Sequence, residues 1–252
     1  MEEGHQLFGL IGYPLAHSSS AVYHNEKFLA AGDTNKEYRL FPLSDIAQFP
    51  DLLAGSPDLS GLNVTIPYKE SIIPYLDEMD EEARIIGAVN TIRVTHPGGK
   101  IRTKGFNTDA PGFILSFDAD PPPGPALILG TGGASKAIAR ALSLMEIPFN
   151  FVSRSHGRPG IYSYSGLTGE VIKNHPLIIN TTPLGMYPDT ANCPPIPYEF
   201  LSDEHFLYDL IYNPEETEFI RRGIAAHART QNGRQMFIHQ AELSRRIFLN
   251  IR

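Results

Sequence analysis

Ala126-Leu127-Ile128-Leu129 is an apolar run that stops at Gly130-Thr131-Gly132-Gly133-Ala134-Ser135. From Ser135 through Lys136, Ala137, Ile138, Ala139, Arg140, Ala141 and Leu142 the composition and spacing are those of an amphipathic helix. Strand, glycine turn and helix in this order suit a dinucleotide pyrophosphate. Glycines let the backbone approach the anion, and the unpaired N–H groups of a helix start face it. The third glycine of the usual fingerprint is Ser135 here. The next strand is expected over Pro148 to Val152 and runs into Ser153-Arg154-Ser155-His156-Gly157-Arg158. An NAD-binding fold places an Asp or Glu about 20 residues beyond the glycines, where it accepts the ribose 2′-hydroxyl. Hydroxyls and two guanidinium groups stand there instead. A carboxylate would repel a 2′-phosphate, whereas guanidinium groups bind one through charge-assisted hydrogen bonds. NADP is the expected cofactor.

The first half of the chain carries polar residues where strands end. Tyr13 to Ser20 follows an apolar strand, and the hydroxyls of Ser18 and Ser20 could bind a polyol or a carboxylate, or simply cap a helix. In Gly61-Leu62-Asn63-Val64-Thr65-Ile66-Pro67-Tyr68-Lys69 a lysine lies just past a buried strand, where it is either a solvated surface charge or a proton donor. Asp109, within Asn107-Thr108-Asp109-Ala110, opens a helix, and a carboxylate there also suits the helix dipole. Asn90, in Gly87-Ala88-Val89-Asn90-Thr91, is an oddity inside a strand unless its amide binds something.

With 252 residues the chain is long enough for one large domain or two smaller ones. A formal net charge of −7 argues against nonspecific nucleic-acid binding, which needs a basic face. Cys193 is the only cysteine, so neither an intrachain disulfide nor a thiolate zinc site is expected, in keeping with a reducing cytoplasm. The nine histidines show no paired metal spacing, His17 and His24 being too far apart for one helical turn. The start, Met1-Glu2-Glu3-Gly4-His5, is acidic and unlike a signal peptide, and no apolar run approaches the ~20 residues that cross a bilayer. A soluble cytoplasmic protein is the expectation.

These residues need elements to hold them. Strands are expected over Gln6–Gly12, Glu37–Phe41 and Leu59–Ile66, with a helix from Ser20 to Ala31. Ala88–Val94 and Lys100–Arg102 form a hairpin around Pro97-Gly98-Gly99. Alternating strands and helices imply an α/β fold with largely parallel sheets. Asp118-Ala119-Asp120-Pro121-Pro122-Pro123-Gly124-Pro125 can neither continue a helix nor join a ladder, so a second domain begins near it, bridged by a helix over Ala110–Phe117. Later strands are Leu177–Asn180 and Phe206–Leu210, and Gln235–Ile251 is a final helix that could fold back onto the first domain.

Taken together the motifs resemble the shikimate dehydrogenase family, nearly end to end. Ser18-Ser19-Ser20, Asn63 to Lys69, Gly87 to Thr91, Asn107-Thr108-Asp109 and the Gly130 loop occur in the family's order. Asn180-Thr181-Thr182-Pro183-Leu184-Gly185-Met186, Asp209-Leu210-Ile211-Tyr212-Asn213-Pro214, and Asn232-Gly233-Arg234-Gln235-Met236 with Gln240-Ala241 follow. Departures are Ala21 for a proline after the serines, and Arg245 and Phe248 for a phenylalanine and a tryptophan. The resemblance implies an N-terminal α/β substrate domain with a mostly parallel sheet (1–109 with 232–252), a Rossmann-type NADP-binding domain (110–231), and a cleft between them. It implies Lys69 and Asp109 as the catalytic pair, and Ser18, Ser20, Thr65, Asn90, Asp109, Tyr212 and Gln240 around the substrate. For the cofactor it points to Gly130, Thr131, Gly132, Gly133, Ala134, Ser153, Arg154, Ser155, Arg158, Leu210 and Gly233, and at times to Glu81. The implied reaction is reversible NADPH-dependent reduction of 3-dehydroshikimate to shikimate, on the route to chorismate and the aromatic amino acids. Quinate dehydrogenase activity and a non-catalytic shikimate-binding sensor are the alternatives. The implied partner is the small-molecule substrate alone, in a monomer or homodimer, with neither nucleic acid nor membrane.

Overall fold

The computed structural model describes residues 4–16, 18–154 and 160–251. It divides into two compact units, 1–108 with 241–252, and 109–240.

In the first unit the elements are β1 (Gln6–Gly12), α1 (Ser20–Ala30), β2 (Lys36–Pro42), α2 (Phe49–Gly55), β3 (Leu59–Val64), β4 (Glu78–Met79), α3 (Glu81–Ile86), β5 (Thr91–Thr95) and β6 (Arg102–Phe106). They build one six-stranded sheet in the order β2-β1-β3-β5-β6-β4. β1 runs parallel to β2 and β3, and β4 runs parallel to β6. β5 is antiparallel to both β3 and β6. This topology decides where the chemistry collects. The carboxyl ends of β1, β3 and β6 and the amino end of β5 all lie on the same edge, so four loops meet there.

Period-two alternation along β1 buries both faces of that sheet. Leu7 and Ile11 join a core with Phe49, Leu62, Ile72 and Ile92, while Phe8 and Leu10 join Phe28, Tyr38 and Phe248 on the other side. Phe248 stacks on Phe8 with ring centroids 5.2 Å apart, and the missing side chain of Gly61 leaves room for it. The phenylalanine that departs from the family pattern is thus fully packed.

The second unit contains α4 (Asp109–Ile114), β7 (Ala126–Leu129), α5 (Gly133–Leu144), β8 (Phe149–Ser153), β9 (Ile161–Ser163), α6 (Gly169–Lys173), β10 (Leu177–Asn180), β11 (Phe206–Asp209), α7 (Glu218–Ala225), β12 (Arg229–Gln231) and the start of α8 (Arg234–Phe248). Its sheet has the order β12-β11-β10-β7-β8-β9, parallel at every pairing. Because the chain enters at β7 and winds outward in both directions, the order reverses between β7 and β10. In open α/β sheets that reversal is where ligands bind, beyond the carboxyl ends of the strands. β7, β10 and β11 are buried along their whole lengths, as befits strands covered on both faces.

Several local expectations shift. Asn90 sits in a bend before β5 rather than inside a strand, because Gly87 ends α3 in the left-handed region (φ 69°) and the chain straightens only at Thr91. The second hairpin strand begins at Arg102, not Lys100. The helix α4 starts at Asp109 and stops at Ile114, well before the proline run. The first sheet is mostly parallel, as expected, with antiparallel pairing confined to β3–β5 and β5–β6. Among the described residues no helix is long and apolar enough to cross a membrane.

Candidate active site

At the shared edge of the first sheet, backbone hydrogen bonds tie the candidate residues together. The Thr65 N–H donates to the Ile11 carbonyl at 2.9 Å, and the Tyr13 N–H donates to the Ile66 carbonyl at 3.1 Å, so the segments after β1 and β3 are bonded to each other. The Val64 N–H donates to the Asn90 carbonyl at 2.8 Å and the Val89 N–H to the Lys69 carbonyl at 2.7 Å. Thr65, Lys69 and Asn90 are thereby brought into one neighbourhood. Beneath Lys69, the Tyr68 hydroxyl donates to the Leu43 carbonyl at 2.7 Å and pins the turn to the core. Lys69 itself is half-buried, and Asn90 is buried.

Ser18 and Ser20 enter from the loop after β1. Ser18 Oγ donates to Ser20 Oγ at 3.2 Å and accepts from the Ser20 N–H at 3.3 Å. Ser19 occupies the N-cap of α1 without a side-chain cap bond, so neither Ser18 nor Ser20 serves as that cap. Both hydroxyls remain half-buried and polar. His17 lies outside the described residues.

A fully buried polar cluster underlies this edge, and reading the sequence missed it. Asn63, Asn90, Thr91, Thr108 and Ser244 are all buried, and their side chains hydrogen-bond one another. The Thr108 N–H donates to Asn90 Oδ1 at 2.8 Å. The signal available was an asparagine between Leu62 and Val64, in the stretch of β3 that is buried at every position.

In the second unit, Asp109 opens α4 and is buried. Gln240 lies on α8, half-buried, and Tyr212 packs its ring 4.7 Å from that of Phe237. Gly233 donates its N–H to the Ile211 carbonyl at 3.1 Å, and a Cβ there would collide with the Leu210 carbonyl, so the glycine permits this approach. Leu210 follows β11, its N–H on the Asn180 carbonyl at 3.0 Å.

The glycine turn fits a dinucleotide phosphate. Gly130 has φ +115°, a conformation L side chains avoid, and an added Cβ would come within 2.8 Å of Thr181 Oγ1. At the N-cap of α5, Gly132 is extended, and a Cβ there would meet nothing within 4 Å. Among the described residues no side chain caps this helix, and no acid lies in its first turn. A helix start of this kind carries N–H groups without intrahelical partners and the positive end of the dipole. Thr131 is exposed, and Gly133 and Ala134 form the first turn. Ser135, in place of the third glycine, buries its hydroxyl by donating to the Gly132 carbonyl at 2.6 Å. Ser153 ends β8, the strand beside β7, and Arg154 follows it, exposed. Ser155 and Arg158 lie outside the described residues. Glu81 is exposed at the first position of α3 in the other unit.

Behind the switch point stands Asp209, buried at the end of β11 and likewise missed. It accepts from Asn180 Nδ2 at 3.0 Å, the Ile211 N–H at 3.1 Å and Thr217 Oγ1 at 2.6 Å. One carboxylate therefore joins the end of β10, the loop after β11 and the N-cap of α7. Polar residues closing two apolar strands were the available signal.

Residues 10–92 match the family model for the shikimate dehydrogenase substrate binding domain. The chain is 36% identical, over 95% of its length and 90% of the relative's, to the shikimate dehydrogenase (NADP(+)) of Carboxydothermus hydrogenoformans. It belongs to the shikimate dehydrogenase family. Among solved structures, shikimate dehydrogenase 1 of Peptoclostridium difficile superposes with a TM-score of 0.87 at 34% identity, covering 98% of this chain and 92% of that one. Shikimate 5-dehydrogenase of Thermus thermophilus, in complex with NADP(H) and shikimate, gives 0.84 at 31% identity, covering 98% and 94%. The two α/β units seen here are the fold of this dehydrogenase family.

Proposed function

We propose that this chain is an NADP-dependent shikimate dehydrogenase that reversibly reduces 3-dehydroshikimate to shikimate. Relatives that carry that name, and a neighbour bound to both shikimate and NADP(H), support the choice of substrate and cofactor. The observation that carries the reading is the convergence of Thr65, Lys69 and Asn90 on one sheet edge. It occurs in a chain whose other unit offers an uncapped helix start behind a glycine turn.

When bound, NADPH supplies the hydride, which it carries on its nicotinamide. The protein's task is to align the substrate ring and manage one proton. Lys69 donates that proton to the carbonyl oxygen as negative charge develops there, and takes it back in the reverse direction. Asp109 accepts a hydrogen bond from a ring hydroxyl and orients the reacting carbon. Ser18 and Ser20 hold the substrate carboxylate through hydrogen bonds donated by their neutral hydroxyls rather than through an ion pair, with Thr65, Asn90, Tyr212 and Gln240 around the ring. On the cofactor side, the turn from Gly130 to Ala134 holds the pyrophosphate at the start of α5. Arg154, with Ser153, Ser155 and Arg158, reads the 2′-phosphate, and Leu210 and Gly233 border the nicotinamide. The domains are substrate-binding (1–109 with 232–252) and nucleotide-binding (110–231), and the enzyme works in the cytoplasm as a monomer or homodimer.

Retention of both Lys69 and Asp109 favours an enzyme over a ligand sensor, which could lose either. The test is NADPH absorbance with 3-dehydroshikimate, then the reverse reaction with shikimate or quinate and either coenzyme. Turnover of shikimate with NADP+ is expected to exceed turnover of quinate with NAD+. Absence of any shikimate oxidation would refute the reading.

A further inference from the structure

Ser244, on the last turns of α8, is completely buried in the first unit. Its Oγ lies 2.9 Å from Asn63 Nδ2, 2.7 Å from Thr91 Oγ1 and 3.1 Å from Thr108 Oγ1. The direction of each bond follows by elimination. The Thr108 N–H can only donate, and it reaches Asn90 Oδ1 at 2.8 Å, which turns Asn90 Nδ2 toward Thr108 Oγ1 at 2.9 Å. Asn90 Oδ1 also accepts from Thr91 Oγ1 at 3.0 Å, and these two bonds, shorter than the 3.2 Å that separates it from Thr108 Oγ1, fill its two lone pairs. The Thr108 hydroxyl accepts from Asn90 and gives its own hydrogen to Ser244. Asn63 keeps its Oδ1 on the Tyr38 hydroxyl at 2.8 Å, so its Nδ2 also donates to Ser244. With both of its lone pairs engaged, Ser244 gives its hydrogen to Thr91. The bonds close into a ring running Asn90 to Thr108 to Ser244 to Thr91 and back to Asn90.

We propose that Ser244 is a positioning residue that, through this ring, fixes which way the Asn90 amide faces and holds the Thr108 turn leading into Asp109. The inference deepens the functional reading above and rests on it, since Asn90 matters to catalysis only as a substrate contact. Oriented hydroxyl chains reinforce one another away from water, and an amide whose oxygen and nitrogen could exchange places would present an acceptor where a donor is needed. Ser244 thus sets the geometry of substrate recognition without itself touching the substrate.

Ser244→Ala, Thr91→Val and the double variant test it, with KM for shikimate and for NADP+ measured separately well below each variant's Tm. Each single change is expected to raise the shikimate KM roughly five- to twentyfold while the NADP+ KM stays within about twofold. The double variant is expected to be little worse than either single one, because a ring is broken only once. A merely structural role would lower Tm and leave that split unmoved. A shikimate KM within about twofold of the parent in Ser244→Ala, additive losses in the double variant, or a parallel rise in the NADP+ KM each overturn the inference. Thr91→Val, which keeps its shape, carries the comparison should Ser244→Ala not fold. An inactive parent overturns this inference together with the functional reading, whereas an active parent with an unmoved Ser244→Ala overturns this inference alone.

Discussion

Thr217 donates its hydroxyl hydrogen to the Asp209 carboxylate at 2.6 Å, and the same Thr217 oxygen accepts the Ile220 N–H at 3.3 Å to cap α7. An acid thereby holds a helix cap, the end of β10 and the loop after β11 together within the second unit. Burial pushes the Asp209 carboxyl up to about 7, against the downward pull of its bonds from Thr217, Ile211 and Asn180. The unfolded chain releases that proton near pH 4. Between about pH 4 and 7 the folded protein therefore binds the extra proton, so the contribution of this group to stability falls as pH rises through that window and is level above it. That contribution is on the order of 4 kcal/mol. In Asp209→Asn this fall should vanish. Urea midpoints at half-unit pH steps check it, and parallel profiles for parent and variant would count against the assignment.

His24 works in the opposite sense. It is buried against the Tyr38 ring, stacked 4.3 Å centroid to centroid with nearly parallel planes, and its Nδ1 has no hydrogen-bond partner among the described residues. Burial lowers it from 6.5 to about 4, Glu242 opposing the shift and Arg245 adding to it. The unfolded chain takes up a proton between about pH 6.5 and 4 that the folded chain refuses, so stability drops as pH falls across that range. His24→Phe keeps a ring on Tyr38 and should lose this acid sensitivity. Since the His24 and Asp209 slopes oppose, the parent should be flatter than either variant: His24→Phe loses stability toward neutral pH, and Asp209→Asn gains it.

Two glycines of one turn should fail in different ways. Gly130→Ala meets both a φ of +115° and the Thr181 hydroxyl, and should destabilise the fold by about 1–3 kcal/mol. Gly132→Ala has open space for its methyl and an ordinary backbone, so it should fold normally yet weaken NADP(H) binding by roughly tenfold or more. Thermal unfolding and coenzyme titration separate the two. If Gly132→Ala binds NADPH like the parent, the phosphate does not sit on this helix start.

Lys69→Ala should lower kcat by roughly 10²–10⁴ with a much smaller change in KM, the span usual for losing a proton donor. Near-parent turnover would remove Lys69 from the chemistry.

Arg154→Ala should weaken NADPH far more than NADH, because only the former carries the 2′-phosphate that a guanidinium can grip. Equal loss for both coenzymes in a binding titration would show that Arg154 does not read that group.

Residues close in the chain were enough to reveal the Gly130 turn, the apolar strands on either side of it and the helix that follows, because strand alternation, helical spacing and glycine punctuation are local properties. The same holds for β1, whose bounds are those expected, and for β3 and α1, which end two residues and one residue earlier. Motif order along the chain was likewise enough for the family. What reading along the chain could not reach are pairings between distant segments. Thr91 and Ser244 are separated by 153 positions, and Asn180 and Asp209 by 29, yet each pair hydrogen-bonds in a buried site. A serine on a helix or an aspartate closing a strand reads as solvated until folding removes the water. Desolvation then leaves an unpaired polar group costly, and only the tertiary arrangement decides which partner satisfies it.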